Sequence, residues 1–433
     1  MKILIKNGRV IDPSQNLDAV ADLLIEDGKI AQIESAIRNP QSATEFDAAG
    51  LIVAPGFVDI HVHGRTPGQE YKEDTATLTA AAAAGGFTTL CVMPNTVPTL
   101  DNRSVVEDVL SRAKSEGNGV RIYPIASVSL AAKNEQLSEF ADLKNAGAIA
   151  VSDDAFPLQD ADFMRRVFQY ARTVGLVTML HCEDTALTGG GHAGVGRGGG
   201  VMNEGVVSTE LGLRGMPRVS EEIAVYKACA LAREVGNRVH ILHVSTRGAV
   251  AVIRSFKAQG VPVTAEAGPH HFGLTDEAVR GYNTNAKMNP PLRTREDCDA
   301  IIQGLVDGTI DCIATDHAPH AAHEKEREFD GAPFGIIGLE TSLPVSLQTL
   351  VEKGPLDVTQ LVEKMTTAPA QLLALDAGTL KVGKRADVTA FSPDENWILE
   401  EETIRSKSKN SPWLRQTMKG RVKATFAGGK QIY

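Results

Sequence analysis

GFVDIHVHGR, residues 56–65, reads as a short apolar strand that ends in two histidines one residue apart, with an arginine close behind. Side chains alternate faces along a strand, so His61 and His63 point one way and Val62 the other. Two imidazoles aimed at one point do nothing for the packing of a core strand. A metal ion accounts for them.

Outward from this stretch, the middle of the chain alternates apolar strands with helical patterns. The candidate strands are GFVDIHVH, FTTLCVMPN, VRIYPIASVSL, GAIAVSDD, LVTMLHCED, VHILHVST, PVTAEAGPHH and IDCIATDHAPH, eight in all. Between them lie amphipathic segments such as SVVEDVLSRAKSEG, NEQLSEFADLKNAG and ADFMRRVFQYARTVG, with apolar residues at helical spacing. Many end on a glycine (Gly117, Gly147, Gly175, Gly236, Gly260, Gly308), as a left-handed cap before the next strand requires. Apolar strands alternating with helices imply a parallel sheet buried on both faces, and eight units imply a (β/α)8 barrel, an α/β TIM-barrel fold. An open doubly wound sheet is the runner-up, but no GxGxxG follows the first strand.

The two chain ends differ from the middle. Residues 1–53 carry KNGRV, EDGKI and short alternating strands, so Asn7-Gly8 and Asp27-Gly28 read as hairpin turns. ADVTAF, GRVKATF and AGGKQIY resume that style near the other end. Neither end can bury a core alone, so the expectation is one small composite β-rich domain, with residues 1–53 as its first part. Residues 54–365 form the catalytic barrel, and 366–433 the barrel exit and the second part of the small domain.

Composition excludes several classes. With 433 residues, 42% hydrophobic and 23% charged, the chain has ordinary globular values. A net charge of -10 without a long basic run argues against nucleic acid or an anionic membrane as partner. MKILIKNGRVIDP offers only a short apolar run, unlike a signal peptide, and no stretch approaches the roughly 20 residues of a membrane helix. The alanine run at residues 80–84, closed by Gly85-Gly86, reads as small-residue helix. Five cysteines without CxxC pairs suit a reducing compartment, so a cytoplasmic enzyme is expected.

Functional groups of a (β/α)8 barrel lie where strands end at the C-terminal face. Strand one delivers His61 and His63, strand four Asp153 and Asp154, strand five His181, strand six His243 and strand eight Asp316, with His317 and His320 just beyond. Imidazole and carboxylate without thiolate suit Zn²⁺, Mn²⁺, Co²⁺ or Fe²⁺. The set is larger than one tetrahedral site uses, so two adjacent ions are plausible. An aspartate at the end of strand eight is placed to act as ligand and proton acceptor, and the implied chemistry is hydrolysis, or its reverse, at an amide-like carbon.

PGFVDIHVH, with the later histidines and the strand-eight aspartate, resembles the amidohydrolase superfamily. Within it, His63 and Arg65 with Pro67-Gly68, MPNT (93–96), SDD, HCED, HVST, KMNPPLR (287–293) and ATDHAPH resemble dihydroorotases, as do the APFGI loop (332–336) and SKSKNSPW. The best fit is the longer bacterial branch, whose members carry an aspartate where relatives place a carboxylated lysine; VSDDAF contains no lysine. The resemblance implies a reversible interconversion of N-carbamoyl-L-aspartate and L-dihydroorotate in pyrimidine biosynthesis. It implies His61, His63, His181, His243 and Asp316 as ligands of one or two Zn²⁺ ions. Asp153 or Asp154 is the bridging carboxylate, with Asp154 preferred from its spacing to His181. Asp316 is then also the proton shuttle.

The substrate is an anion in both forms. Arg65 suits its α-carboxylate bidentately. The resemblance adds His63, Asn95, Asn289 and His320 to substrate binding, and the backbone of Phe334 and Gly335 against the ring. HEKEREFDGAPFGIIG (323–338) is polar and glycine-bearing, as a mobile lid is. The glycine-rich stretch at residues 189–200 lacks GxxxxGK[ST] and reads as a flexible loop, with His192 solvent-facing. His270 and His271 receive no ligand role, and Cys182 is turned from the rim by strand alternation. Gly64, Thr66, Arg214 and Trp413 depart from common family residues; Gly64 loosens the strand end that carries Arg65. Two other readings are weighed: a related cyclic-amide hydrolase (hydantoinase or allantoinase), and a non-catalytic subunit supporting aspartate transcarbamoylase. Dimerisation and transcarbamoylase association are family-level expectations that the sequence does not decide.

Overall fold

The computed structural model describes residues 2–38, 43–189 and 199–433. The body of the glycine-rich stretch, with His192, lies outside the described residues.

Eight parallel strands form the central sheet in chain order: Phe57–Val62, Phe87–Val92, Arg121–Ser127, Ala150–Ser152, Val177–Leu180, Val239–Ile241, Val263–Ala267 and Cys312–Ile313. The ring closes just past the last strand, where Val62 bridges His317 in parallel and the His63 N–H donates to His317 O at 2.9 Å. All eight expected strands are present, and the fold is the (β/α)8 barrel. Val58, Ile60, Cys91, Ile125, Met179 and Cys312 pack in one buried cluster with Ala370, Leu372 and Leu373. Residues from strands all around the ring meet in one cluster only inside a barrel, so this is its interior. Each such side chain, once buried, contributes about 1.5–3 kcal/mol.

Local signals position the helices. Asn102 caps Arg103–Glu116 by accepting from Val105 N, and Asp160 caps Ala161–Val174 by accepting from Phe163 N. In the second helix Phe163, Met164, Val167, Phe168 and Ala171 form the buried face, and Gly175 ends it at φ 71°. Gly147, Gly236, Gly260 and Gly308 are left-handed as expected. Gly117 is not: it leaves its helix in an extended conformation, φ -73°. The helix expected over 134–147 is confined to Phe140–Ala146. Upstream of it the chain folds back, with Leu137 bridging Ser129 and Leu130 N donating to Gln136 O.

Both chain ends build one second sheet. Its order runs Lys430–Gln431, Thr417–Ala427, Val388–Ile398, Ile52–Pro55, Lys2–Asp12, Leu17–Glu26, Lys29–Glu34, with Thr44–Asp47 also on Lys2–Asp12. Ile52–Pro55 joins the ends, pairing parallel with Lys2–Asp12 and antiparallel with Val388–Ile398. The expected boundary at 53/54 falls inside that strand. The shared core includes Ile3, Ile5, Leu23, Ile25, Val53, Val388 and Phe426. Asp27-Gly28 makes the hairpin turn, with φ 50° and 77°. Asn7-Gly8 does not. It lies within Lys2–Asp12 as a bulge, where the register against Leu17–Glu26 shifts between Ile5 and Gly8. A side chain at Gly8 would come within 2.6 Å of Val53 Cγ2, so the glycine serves a close crossing of strands.

Gly56 links this sheet directly to the first barrel strand. A Cβ there would lie 2.2 Å from Thr88 Oγ1, so only glycine lets the chain enter the barrel at this point.

Candidate metal centre and substrate cavity

The strand ends bring His61, His63, Asp154, His181, His243 and Asp316 together, all buried. Asp154 stands between two donor groups. Its Oδ2 lies 3.7 Å from His61 Nε2 and 3.5 Å from His63 Nε2, and its Oδ1 lies 3.4 Å from His181 Nδ1 and 3.5 Å from His243 Nε2. Asp316 Oδ1 completes the first group, 3.0 Å from His63 Nε2 and 3.5 Å from His61 Nε2. Ligands at about 2.0–2.1 Å around a tetrahedral ion stand about 3.3–3.4 Å apart. These spacings fall around that value, and His61 Nε2 and Asp154 Oδ2 are buried without a hydrogen-bond partner. The donor set therefore fits divalent metal: His61, Asp154 and His243 form one group able to hold an ion, and His61, His63 and Asp316 another.

Hydrogen bonds on the far ring nitrogens fix which nitrogen faces the centre. His61 Nδ1 meets Glu266 Oε1 at 2.5 Å, His63 Nδ1 meets Asn95 Oδ1 at 2.9 Å, and His181 Nε2 meets Glu183 Oε2 at 3.1 Å. Glu266 is itself tied to His240 Nε2 at 3.0 Å, and Glu183 accepts from Asn289 Nδ2 at 2.9 Å. Asp153 faces elsewhere, accepting from His181 N and Leu158 N, both at 2.9 Å. It steadies strand ends, and Asp154 holds the shared position.

The electrostatics favour cations here. Burial opposes charge on His181, yet its imidazole is raised to about 10 by Asp154 and Glu183 beside it. His61 is raised by Glu266 and Asp316 despite its burial. Asp154 and Asp316 are held well below the usual carboxylate range, against burial, by the surrounding histidines. Burial keeps His243 low instead.

A cavity of about 180 Å³ opens onto this centre. Arg65, Asn95, Asn289, His320, Phe334 and Gly335 all line it, with His63, Asp154 and Asp316 at its floor. Gln69 and Lys72 line it too, and neither was anticipated from the sequence. Arg65, 7% exposed and left-handed at φ 60°, donates from Nε to Pro319 O at 3.1 Å and lies 3.2 Å from His320 Nε2 through Nη2. Lys72 Nζ lies 3.3 Å from His320 Nδ1 and 3.0 Å from Glu324 Oε1. Burial, with Arg65, Lys72 and Lys325 nearby, pushes His320 down to about 3 against the pull of Glu324, so it is neutral. Gly64 is close-packed, since a Cβ there would lie 3.1 Å from Val92 Cγ1.

Other histidines have structural partners. His317 Nδ1 accepts from Gly338 N at 3.1 Å, and His271 Nε2 meets Pro290 O at 3.0 Å. Cys182 is buried, and burial pushes its thiol up, away from nucleophilic use.

The dihydro-orotase-like family model matches residues 50–249. Proteins named dihydroorotase from Trichlorobacter lovleyi and Geotalea daltonii are 50% and 51% identical to this chain over 433 residues, covering 100% of it and 99% of each relative. The chain belongs to the dihydroorotase family. Its fold is shared with solved hydantoinases. An L-hydantoinase (dihydropyrimidinase) from Arthrobacter aurescens superposes at TM-score 0.87 with 27% identity, over 99% of this chain and 95% of that one. A dihydropyrimidinase from Brevibacillus agri does so at 0.84 with 22% identity, over 100% and 95%. As a member of the dihydroorotase family, the chain is a cyclic-amide hydrolase.

Glu266, His240, Glu183 and Lys72 escaped the sequence reading. The signal for Glu266 was present: a carboxylate inside the apolar strand VTAEA has no place in a core unless it is paired. Glu266→Gln is expected to weaken metal binding by about 10–100-fold, as loss of such a partner does elsewhere. Competition with a chelator of known affinity measures it, and unchanged affinity removes Glu266 from the centre.

Proposed function

We propose that this chain interconverts N-carbamoyl-L-aspartate and L-dihydroorotate in cytoplasmic pyrimidine biosynthesis, with one or two Zn²⁺ ions at the centre. The observation that carries the reading is a single cavity in which a two-sided Asp154 cluster faces a buried pair of cations, Arg65 and Lys72. A cyclic amide bearing a carboxylate needs both. Hydantoin and allantoin carry no carboxylate, which disfavours them for a cavity lined by the buried Arg65; Lys72 is already paired with Glu324 at 3.0 Å.

His61, His63, His181, His243, Asp154 and Asp316 would hold the metal, which supplies Lewis-acid polarisation of the amide carbonyl and acidifies water. Arg65, neutral His320 and Asn95 receive the α-carboxylate. Asn289, fixed by Glu183, faces the same space, and Phe334 closes it over the ring. In ring opening, water adds to the ring carbonyl carbon and the carbon–nitrogen bond breaks. Asp316 takes one proton from the water and returns it to the departing nitrogen, which leaves as a ureido NH₂ group, and the water's second proton is released to solvent as the new acid ionises to a carboxylate. Closure runs the same steps backwards.

The test strips the purified protein with chelator, restores Zn²⁺ and follows dihydroorotate ring opening by ultraviolet absorbance. Metal-dependent turnover supports the reading; metal uptake without turnover refutes the substrate. Arg65→Lys is expected to raise KM about 10–100-fold while kcat changes less, because a bidentate charged contact contributes about 1.5–3 kcal/mol. Initial rates across dihydroorotate concentrations check it. A homodimer and association with aspartate transcarbamoylase belong to the same reading, and sedimentation with and without transcarbamoylase tests both.

A further inference from the structure

The segment between the strand-eight motif and Gly335 is polar enough to be a lid, but two buried lysines occupy its inside. Lys287 is 1% exposed and Lys325 5%. Lys287 Nζ donates to Phe329 O at 2.6 Å, Asp330 O at 3.2 Å and Ala332 O at 2.7 Å. Lys325 Nζ donates to Pro333 O at 2.9 Å and Gly335 O at 3.0 Å, and lies 3.5 Å from Lys287 O. The carbonyls of 329, 330, 332, 333 and 335 thus all turn inward onto two amines. The one-turn 3-10 helix Phe329–Gly331 does not pair these acceptors, so the lysines take that place.

The arrangement reaches the substrate cavity directly. Lys287 Nζ stands 4.6 Å from the centroid of the Phe334 ring, within cation–π range. Gly335 N donates to Lys287 O at 2.9 Å, and Gly335 O also accepts from Asn410 Nδ2 at 3.1 Å. Both polar groups of Gly335 are therefore paired with residues that flank the loop: its N–H with Lys287, its carbonyl with Lys325 and Asn410. Gly335 has φ 123°, and a Cβ there would lie 2.7 Å from that of Ala318, so the turn packs tightly against the strand-eight motif. Pro333, Phe334 and Gly335 line the cavity beside Arg65 and His320.

We propose that Lys287 and Lys325 are positioning residues: their side-chain amines template residues 329–335 into a preformed wall that sets substrate affinity. The wall acts through Phe334 and the path of the backbone, and neither lysine touches the reacting atoms. The inference rests on the dihydroorotase reading for its kinetic arm only.

The test uses full-length protein carrying Lys325→Met or Lys287→Met, which keep the aliphatic stem and delete the donors. KM for dihydroorotate is expected to rise at least about tenfold with kcat within about threefold and metal content unchanged, the pattern of lost binding rather than lost chemistry. Trypsin cleavage after the exposed Arg327 is expected to accelerate in both variants. Unchanged KM and unchanged cleavage overturn the proposal, as does an equal loss of kcat with KM constant. Hydrogen exchange on the wild-type protein stands apart from any folding failure: protected amides at Ala332 and Gly335 support the template, and exchange at the free-peptide rate refutes it. If the wild-type protein leaves dihydroorotate intact, the functional reading falls, while proteolysis and exchange still decide the loop.

Discussion

Asp316→Asn is expected to reduce kcat by about 10³-fold or more, equivalent to about 4 kcal/mol of transition-state stabilisation, with the fold intact. Asp316 lies three residues past the eighth strand, in the left-handed region at φ 48°, and lines the cavity. Asparagine has the same shape and tolerates that backbone conformation. It keeps an oxygen that can face His63, now 3.0 Å away, but it neither carries the charge nor takes a proton. The surrounding histidines hold the native carboxyl ionised against its burial. Two measurements separate its roles. If the variant keeps its metal and loses turnover, Asp316 serves as the proton carrier; if metal is lost with turnover, it is first a ligand. Near-normal turnover would remove it from the chemistry altogether. Unchanged circular dichroism guards against misfolding as the cause.

Residues such as Asp316 were legible because barrel geometry turns sequence position into place. A strand ending in His, Asp or Asp-His is read locally, and the parallel ring then carries five such ends to one rim. His61, His63, His181 and His243 needed nothing more. Asp154 could be separated from Asp153 only by orientation: neighbouring residues at a strand end face opposite ways, and which one faces inward depends on where the strand stops. Glu266 acts through His61, 205 residues away in sequence, so no local pattern pairs them; Glu183 stands only two residues from His181, but the fold decides that its carboxylate turns onto that ring. Lys72 follows the first motif by a loop whose path depends on His320 and Glu324, 248 and 252 residues later. Asn7-Gly8 failed for a related reason. The dipeptide permits a turn, but a strand crossing at Val53 uses the same freedom for a bulge.

The paired substitutions Asp154→Ala and Asp153→Asn should behave in opposite ways. Asp154 is 2% exposed and offers one oxygen to His61 and His63 and the other to His181 and His243. Removing it leaves four buried imidazoles with no shared carboxylate. Metal content is expected to fall below that of wild type after gel filtration, and turnover by about 10³-fold or more, beyond the usual contribution of a single acid or base. The loss follows from charge as well as from ligand count, because a carboxylate facing all four imidazoles no longer offsets the charge of an incoming cation. Asp153 is equally buried, but it accepts from two backbone amides and points away from the centre. Burial raises its carboxyl to about 7, so an uncharged side chain is tolerated there. Asparagine retains an acceptor for one of the two amides and sets its NH₂ group against the other, and the expected cost is about 1–3 kcal/mol of stability. Metal content should remain, with a modest change in kcat. Metal retained by Asp154→Ala but lost by Asp153→Asn would reverse the assignment. It would also mean that the strand-four end turns over when metal enters, because in the structure Asp153 can reach the centre only by releasing His181 N.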